Sequence, residues 1–310
     1  MSTLLGINEI LDIIPQRPPF LMIDRAEIDI ENNTVTALKN VTVDEHYFTG
    51  HFPSGPILPG VLQLEAMSQA SGLLLRKKTG IDKPTWLNQV QRIRFKRPVN
   101  PGDQLIIECS LEDISEEGCS VKSTAKVNGA VCSQASFTLS VLDTEILKPK
   151  SLLSEYPAAL ELTGETVKDV NAIADTIPHR FPFQFLDKVV YEVTDHIVGE
   201  KLVTMNEPIC SSYMPGVHAF PNTFLMETAA QVGCAHMLGR EENKGKLGIF
   251  MSIEKAVSNR PAVPGDRITL DVKMTFWKGS MGKCAAVIYS GEEILTEMTL
   301  AFAIVAKDAI

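Results

Sequence analysis

The chain repeats itself, and a long internal repeat restricts the fold more than any single motif does. GINEILDIIPQRPPFLMID at 6–24 returns as DVNAIADTIPHRFPFQFLD at 169–187. Pro15, Arg17, Pro19, Phe20 and Asp24 recur as Pro178, Arg180, Pro182, Phe183 and Asp187, each 163 positions on. KNVTVDE (39–45) matches KLVTMNE (201–207), and LQLEAMSQ (62–69) matches FLMETAAQ (224–231), both at an offset of 162. RPVNPGDQL (97–105) matches RPAVPGDRI (260–268), back at 163. An offset held to within one residue means two copies of one fold, expected at 1–145 and 169–310. The connector at 146–168 contains proline and no clear period, so it reads as a linker.

Each copy has a legible order of elements. Ile7, Ile10, Leu11 and Ile14 fall at i, i+3, i+4 and i+7, which predicts a short helix stopped by Pro15. Strands are expected near 20–30 and 33–43. A mostly apolar helix then starts at Pro59 and Gly60 and ends at Arg76, Lys77, Lys78 and Gly80, as the helix dipole and C-cap rules prefer. Three β-rich runs follow at 86–97, 104–113 and 118–141, the last broken by the hairpin signal Asn128-Gly129. Several antiparallel strands beside one long apolar helix give an α+β architecture, with the sheet wrapped around the helix.

Charge and cysteine usage narrow the function classes. The 310 residues carry a formal net charge of −9, which argues against general affinity for nucleic acid or anionic membrane. No apolar run is long enough to span a bilayer, and no signal-type segment opens the sequence. Six scattered cysteines form no CxxC pair, so small buried thiols in a reducing cytoplasm are expected rather than disulfides or zinc.

The chemistry concentrates in DEHYFTGHFPSGPILPGVLQLEAMSQASGLLL at 44–75. Glu65 lies in a helix with almost no polar stripe, and Gln69 follows one turn on, on the same face. Burial there should raise a carboxyl pKa, which suits a general acid; the plainer alternative is a carboxylate pointing to solvent. A lone histidine in a Pro/Gly loop is more often a packing residue. His51, however, sits in a stiff loop that ends at a helix N-terminus, where the amides of Gly60 and Val61 are free to hold a carbonyl oxygen. Imidazole, carboxyl and amides together suit removal of a proton α to a carbonyl with expulsion of a β-hydroxyl.

PQRPPFLMIDR, KNVTVDEHYFTGHFPSGPILPGVLQLEAMSQ and RFKRPVNPGDQL closely resemble the FabZ-type 3-hydroxyacyl-[acyl-carrier-protein] dehydratases; the second copy resembles them more weakly. The resemblance implies tandem hot-dog domains that pair as an intrachain pseudo-dimer. It implies sites that take His from one hot dog and Glu from the other, and neither metal nor organic cofactor. By motif, His51 is the base, Glu227 and Glu65 are the carboxylate positions, Gly60 with Val61 receives the thioester carbonyl, and Gln231 and Gln69 support the carboxylates. The double hot-dog dehydratase domains of modular polyketide synthases divide His and acid in a comparable way.

The second copy departs from this pattern. His51 becomes Tyr213 and Gly60 becomes Asn222, while Glu65 and Gln69 persist as Glu227 and Gln231. One complete site is therefore expected, His51 and Gly60 with Glu227, and Tyr213 with Glu65 should be inert because tyrosine is a poor base at neutral pH. His218 is expected to pack or face solvent, and His179 in PHRFPF to support a turn without a catalytic role. His46, His196 and His236 have no evident partner. Arg17 and Arg180 are expected to line the tunnel region. Arg92, Arg94 and Lys96, with Arg97 beside them, form a basic strip suited to an acidic acyl carrier protein, and the second copy has lost most of it. The expected activity is dehydration of a 3-hydroxyacyl thioester to the 2-enoyl thioester. A hot-dog thioesterase and a non-catalytic acyl-binding protein are the alternatives.

Overall fold

A computed structural model of the chain describes residues 2–306. The first copy contains β1 (Thr3–Leu5), α1 (Ile7–Ile13), β2 (Arg25–Asp29), β3 (Thr34–Asn40), α2 (Gly60–Thr79), β4 (Thr85–Phe95), β5 (Gln104–Ser115), β6 (Gly118–Val127) and β7 (Ala130–Val141). The second contains α3 (Val170–Thr176), β8 (Lys188–Val193), β9 (His196–Leu202), α4 (Pro208–Tyr213), α5 (Asn222–Leu238), β10 (Lys246–Ser258), β11 (Arg267–Lys278), β12 (Met281–Ser290) and β13 (Glu293–Ala306). Among the described residues no helix is long and apolar enough to cross a membrane, and the six cysteines are unbonded to one another.

The thirteen strands form one antiparallel sheet in the order β1-β2-β3-β5-β6-β7-β4-β10-β13-β12-β11-β9-β8. Leaving β1 aside, the order reads the same from either end, so the repeat in sequence is a two-fold in space. The seam is β4 against β10, where Ile93 faces Ile253 and Val90 faces Ala256. Each half of the sheet curls around its own helix. α2 is buried without interruption from Val61 to Leu75, and α5 is buried along nearly its whole length. A helix apolar on every side has no solvent face to offer, so a charged side chain on it stays inside the protein.

The recurring motifs are structural joints. Asp24 accepts from the amide of Asn40 at 2.6 Å, and Asp187 from that of Leu202 at 2.7 Å, which fixes the same strand entry in both copies. In the two Pro-Gly-Asp turns, Gly102 and Gly265 sit at φ 98° and 101°, a region that glycine adopts without strain. The aspartates that follow, Asp103 and Asp266, accept from the amides of Asn100 and Val263. Asn128 and Gly129, both at positive φ, turn β6 into β7 as the hairpin signal requires.

Two expectations need correction. The run 20–30 is strand only over Arg25–Asp29; Phe20 and Met22 are instead held by a side chain of α2, with Gln69 Nε2 donating to the Phe20 carbonyl and the Met22 amide donating to Gln69 Oε1, both at 2.8 Å. Arg17 and Arg180 do not line a tunnel. Arg17 donates to the carbonyls of Leu11, Ile14 and Gln16, and Arg180 to those of Ile177 and His179. Each thus satisfies carbonyls left free where the preceding helix ends. The segment between the copies touches the second copy. Tyr156 donates to Glu200 at 2.5 Å, and the Arg267 guanidinium stacks on the Tyr156 ring at 5.0 Å.

Candidate active site

The Arg-Phe-Pro-Phe turn of the second copy and the His loop of the first are stitched together by backbone. The Arg180 amide donates to the Gly50 carbonyl at 3.1 Å. A Cβ on Gly50 would lie 2.1 Å from the Arg180 carbonyl oxygen, so only glycine permits this approach. The joint brings His51 to the second copy: its ring lies 5.2 Å from that of Phe183 and 5.5 Å from that of His179, centroid to centroid.

Three titratable groups meet there. One donor atom each of His51, His179 and Glu227 lie within 4.8 Å of one another. They are close enough to share a metal ion. His51 Nδ1 is 2.8 Å from the Ile57 carbonyl. A carbonyl only accepts, so Nδ1 carries the hydrogen and Nε2 keeps its lone pair. Burial, then the neighbouring His179, push the His51 pKa down to about 4, against the opposing pull of Glu227 and the Ile57 carbonyl. The imidazole is therefore neutral near pH 7, the form that takes up a proton.

Glu227 is 4% exposed. Its Oε1 accepts from Gln231 Nε2 at 3.1 Å and lies 3.3 Å from His179 Nε2. Gln231 in turn donates to the Phe183 carbonyl and accepts from the Phe185 amide, so the glutamine pins the helix to the turn. Burial acts to raise the Glu227 pKa, but the His179 hydrogen bond and charge, with His51 and Gln231, outweigh it and leave the carboxyl below its ordinary value. Burial alone would have raised it, as it was expected to at Glu65, and His179 is the reason it does not. His179, expected only to support a turn, is instead a member of the site. Two sequence signals pointed to it: the change from Gln16 to His179 in otherwise matching segments, and a histidine common at that place in the FabZ-type dehydratases it resembles.

His51, Gly60, His179 and Glu227 line a cavity of about 340 Å³ that both copies enclose. Ala230 and Cys234 continue its wall along α5 below Glu227, and Phe250, Leu300 and Phe302 close it with apolar surface. A Cβ on Gly60 would meet the Phe95 ring at 2.9 Å, so glycine lets the cavity reach the helix start. Val61 is fully buried. Lys96 and Arg97 also line the cavity, whereas exposed Arg92 and Arg94 face a separate shallow groove on the outer sheet surface with Glu108 and Lys122. The basic strip is thus divided between the cavity and the outer face.

The mirrored position is built from the same parts with different chemistry. Glu65 accepts from Gln69 at 3.0 Å and, across the two-fold, from Thr223 at 3.1 Å. With no histidine beside it, burial pushes its pKa up to about 7. Tyr213, in the place of His51, packs edge-on against Phe20 at 5.5 Å, and burial with the nearby Glu65 drives its pKa well above the ordinary 10. Asn222, in the place of Gly60, spends its amide on the Leu87 carbonyl at 2.9 Å. His218 is exposed at a φ of 56° and takes no part. His196 bonds Asp271, and His236 bonds Glu192 and the Thr194 carbonyl, while His46 lies against Tyr47.

Comparison with known proteins agrees with this layout. The FabA-like domain matches twice, over residues 14–136 and 177–299. The chain belongs to the FabA-like family. The 3-hydroxyacyl-[acyl-carrier-protein] dehydratase FabZ of Protochlamydia amoebophila (strain UWE25) is 44% identical over 132 residues, 42% of this chain and 86% of the relative. That of Aeromonas salmonicida (strain A449) is 47% identical over 135 residues, 41% of this chain and 87% of the relative. Solved structures match the tandem FabA-like chain as a whole. The dehydratase domain of RzxB from Pseudomonas fluorescens superposes with TM-score 0.62 at 14% identity, covering 92% of this chain and 98% of that domain. The dehydratase domain from the CurJ module of curacin polyketide synthase gives 0.62 at 12%, covering 93% and 99%. At such identities these two speak for the double hot-dog fold.

Proposed function

We propose that this tandem FabA-like protein dehydrates a 3-hydroxyacyl thioester, carried by an acyl carrier protein, to the 2-enoyl thioester in cytoplasmic fatty acid or related acyl biosynthesis. The observation that carries the proposal is a neutral His51 with a free Nε2, set opposite Glu227 in an apolar cavity shared by the copies. His51 takes the α-proton. The Gly60 amide, at the start of α2, receives the thioester oxygen as charge develops on it; such donors contribute about 3–4 kcal/mol in other enzymes. Glu227 passes a proton to the departing β-hydroxyl, which leaves as water. The apolar wall along α5 receives the acyl chain.

On this reading the chain divides into a domain at 1–145, a linker and a domain at 169–310, and neither domain alone supplies both His51 and Glu227. Lys96 and Arg97 attract the carrier's acidic surface to the cavity, and Arg92 and Arg94 extend that field along the sheet. The test is incubation of the full chain, after dialysis against a chelator, with a 3-hydroxyacyl thioester and separately with the enoyl thioester. Interconversion of the two supports the reading. Release of free thiol would make the chain a thioesterase, no turnover would make it a binding protein, and loss on chelation would show a metal requirement.

A further inference from the structure

His179 is buried, 5% exposed, and only half of its ring is accounted for. Nε2 faces Glu227 Oε1 at 3.3 Å, while Nδ1 has no hydrogen-bond partner among the described residues. A buried nitrogen without a partner is costly. The site also has a proton-accounting problem. Each dehydration breaks the Cα–H bond and leaves that proton on His51. It also breaks the Cβ–O bond, whose oxygen leaves as water with a proton from the Glu227 side. The enzyme then holds one proton too many on His51 and one too few on Glu227, and its surroundings keep Glu227 ionised at rest. His179 is the titratable group that touches both ends, ring to ring with His51 and Nε2 to carboxylate with Glu227. The other charged or titratable groups on the cavity are Cys234, whose thiol burial pushes up to about 12, and Lys96 and Arg97.

We infer that His179 and Glu227 act as one proton-holding pair, with His179 the positioning residue that keeps Glu227 supplied with the proton given to the leaving hydroxyl. The proton acquired by His51 returns to the pair, so the cycle closes on the net reaction, hydroxyacyl thioester to enoyl thioester plus water, with no co-reactant. The inference rests on the dehydratase reading for its purpose, but the location of the proton can be measured without substrate.

The variant is His179→Gln, which installs the residue that the first copy carries at Gln16, also buried and 5% exposed. Infrared difference spectra at about pH 6 compare wild type with Glu227→Gln, and His179→Gln with the double variant. The C=O stretch of a protonated carboxyl assigned to Glu227 should be missing from the first pair and present in the second, because without His179 burial is opposed only by His51 and Gln231. In turnover, His179→Gln should lower kcat about 100-fold, the low end of a general acid–base contribution, with KM nearly unchanged. The double variant should be no slower than Glu227→Gln alone, as for residues that act as a unit. An unchanged carboxyl band, or losses that multiply, would overturn the inference. A band that moves as expected in a protein that dehydrates nothing would sink the dehydratase reading instead and leave the pair intact.

Discussion

The two mirrored sites keep the same glutamate and differ at three of the positions around it. On one side stand His51, Gly60, His179 and Glu227; on the other Tyr213, Asn222, Gln16 and Glu65. Both carboxylates sit on buried helices, both are held by a glutamine one turn on, and both glutamines clamp the same turn. Yet the Glu65 carboxyl is pushed up to about 7 and the Glu227 carboxyl is held below its ordinary value. The sheet and the two long buried helices are therefore indifferent to the chemistry, and the neighbours around each carboxylate decide what it can do. The same holds at the surface. Arg97 is exposed at the cavity, while its counterpart Arg260 is 7% exposed and locked to Asp266 at 2.8 Å and Glu293 at 3.0 Å.

The largest expected effect sets the two carboxylates against each other. Glu227→Gln should lower turnover by about 10²–10⁴, the usual contribution of a general acid–base group, and His51→Ala by at least as much. Glu65→Gln should leave the rate nearly untouched, because Tyr213 gives that site no base. A steady-state comparison of the three variants decides it: if Glu65→Gln abolishes turnover and Glu227→Gln does not, the working site lies within the first copy and the cross-copy assignment is wrong.

A smaller effect is expected from the exposed basic strip. Reversing Arg92 and Arg94, which face away from the cavity, to Glu should raise KM for a carrier-bound substrate about 10-fold or more, at the lower end of what electrostatic steering contributes. A short thioester mimic should be almost unaffected, and the wild-type KM for the carrier should climb with salt. Equal losses on both substrates would mean that the changes damaged the sheet instead.

The acid limb of kcat/KM sharpens the contrast further. An ordinary histidine base would fail as pH drops through about 6.5. His51 should stay neutral, and activity should hold, until pH falls toward about 4. A limb near 6.5 with His51 intact would mean that the working enzyme opens His51 to water.

Much of this was legible from the repeat. Two copies at a near-constant offset predicted one fold used twice, and the resemblance to FabZ-type dehydratases, with the base kept in one copy only, implied a site split between copies. The Pro-Gly-Asp turns and the Asn128-Gly129 hairpin were readable because their physics is local. His179 was not, because its meaning depends on Glu227, 48 positions away and reached only after α5 folds against the turn. The arginines after Pro15 and Pro178 misled for a related reason: their guanidiniums turn back onto helix-end carbonyls, a choice that sequence spacing leaves open. The segment 20–24 carries strand-like residues, but Gln69 claims its backbone groups, a tertiary bond that overrides the local pattern.

The smallest expected effect is on stability, and the two sites should show it with opposite sign. Glu65 has a folded pKa near 7 against an ordinary 4.5. Its contribution is fully present below about 4.5 and is lost as pH rises through about 7, because the folded state must then bury a charge that the unfolded chain hydrates; the full difference is about 3 kcal/mol. Glu227 has a folded pKa below its ordinary value. Its contribution is present above about 4.5 and is lost as pH falls through the folded value. Relative to wild type, Glu65→Gln should therefore change Tm little near pH 5 and raise it by several degrees near pH 8. Glu227→Gln should lower Tm at neutral pH and converge on wild type as acid removes the charge it lacks. Thermal melts across that range test both at once, and parallel curves for the two variants would mean that the mirrored carboxylates share one environment and that His179 does not distinguish them.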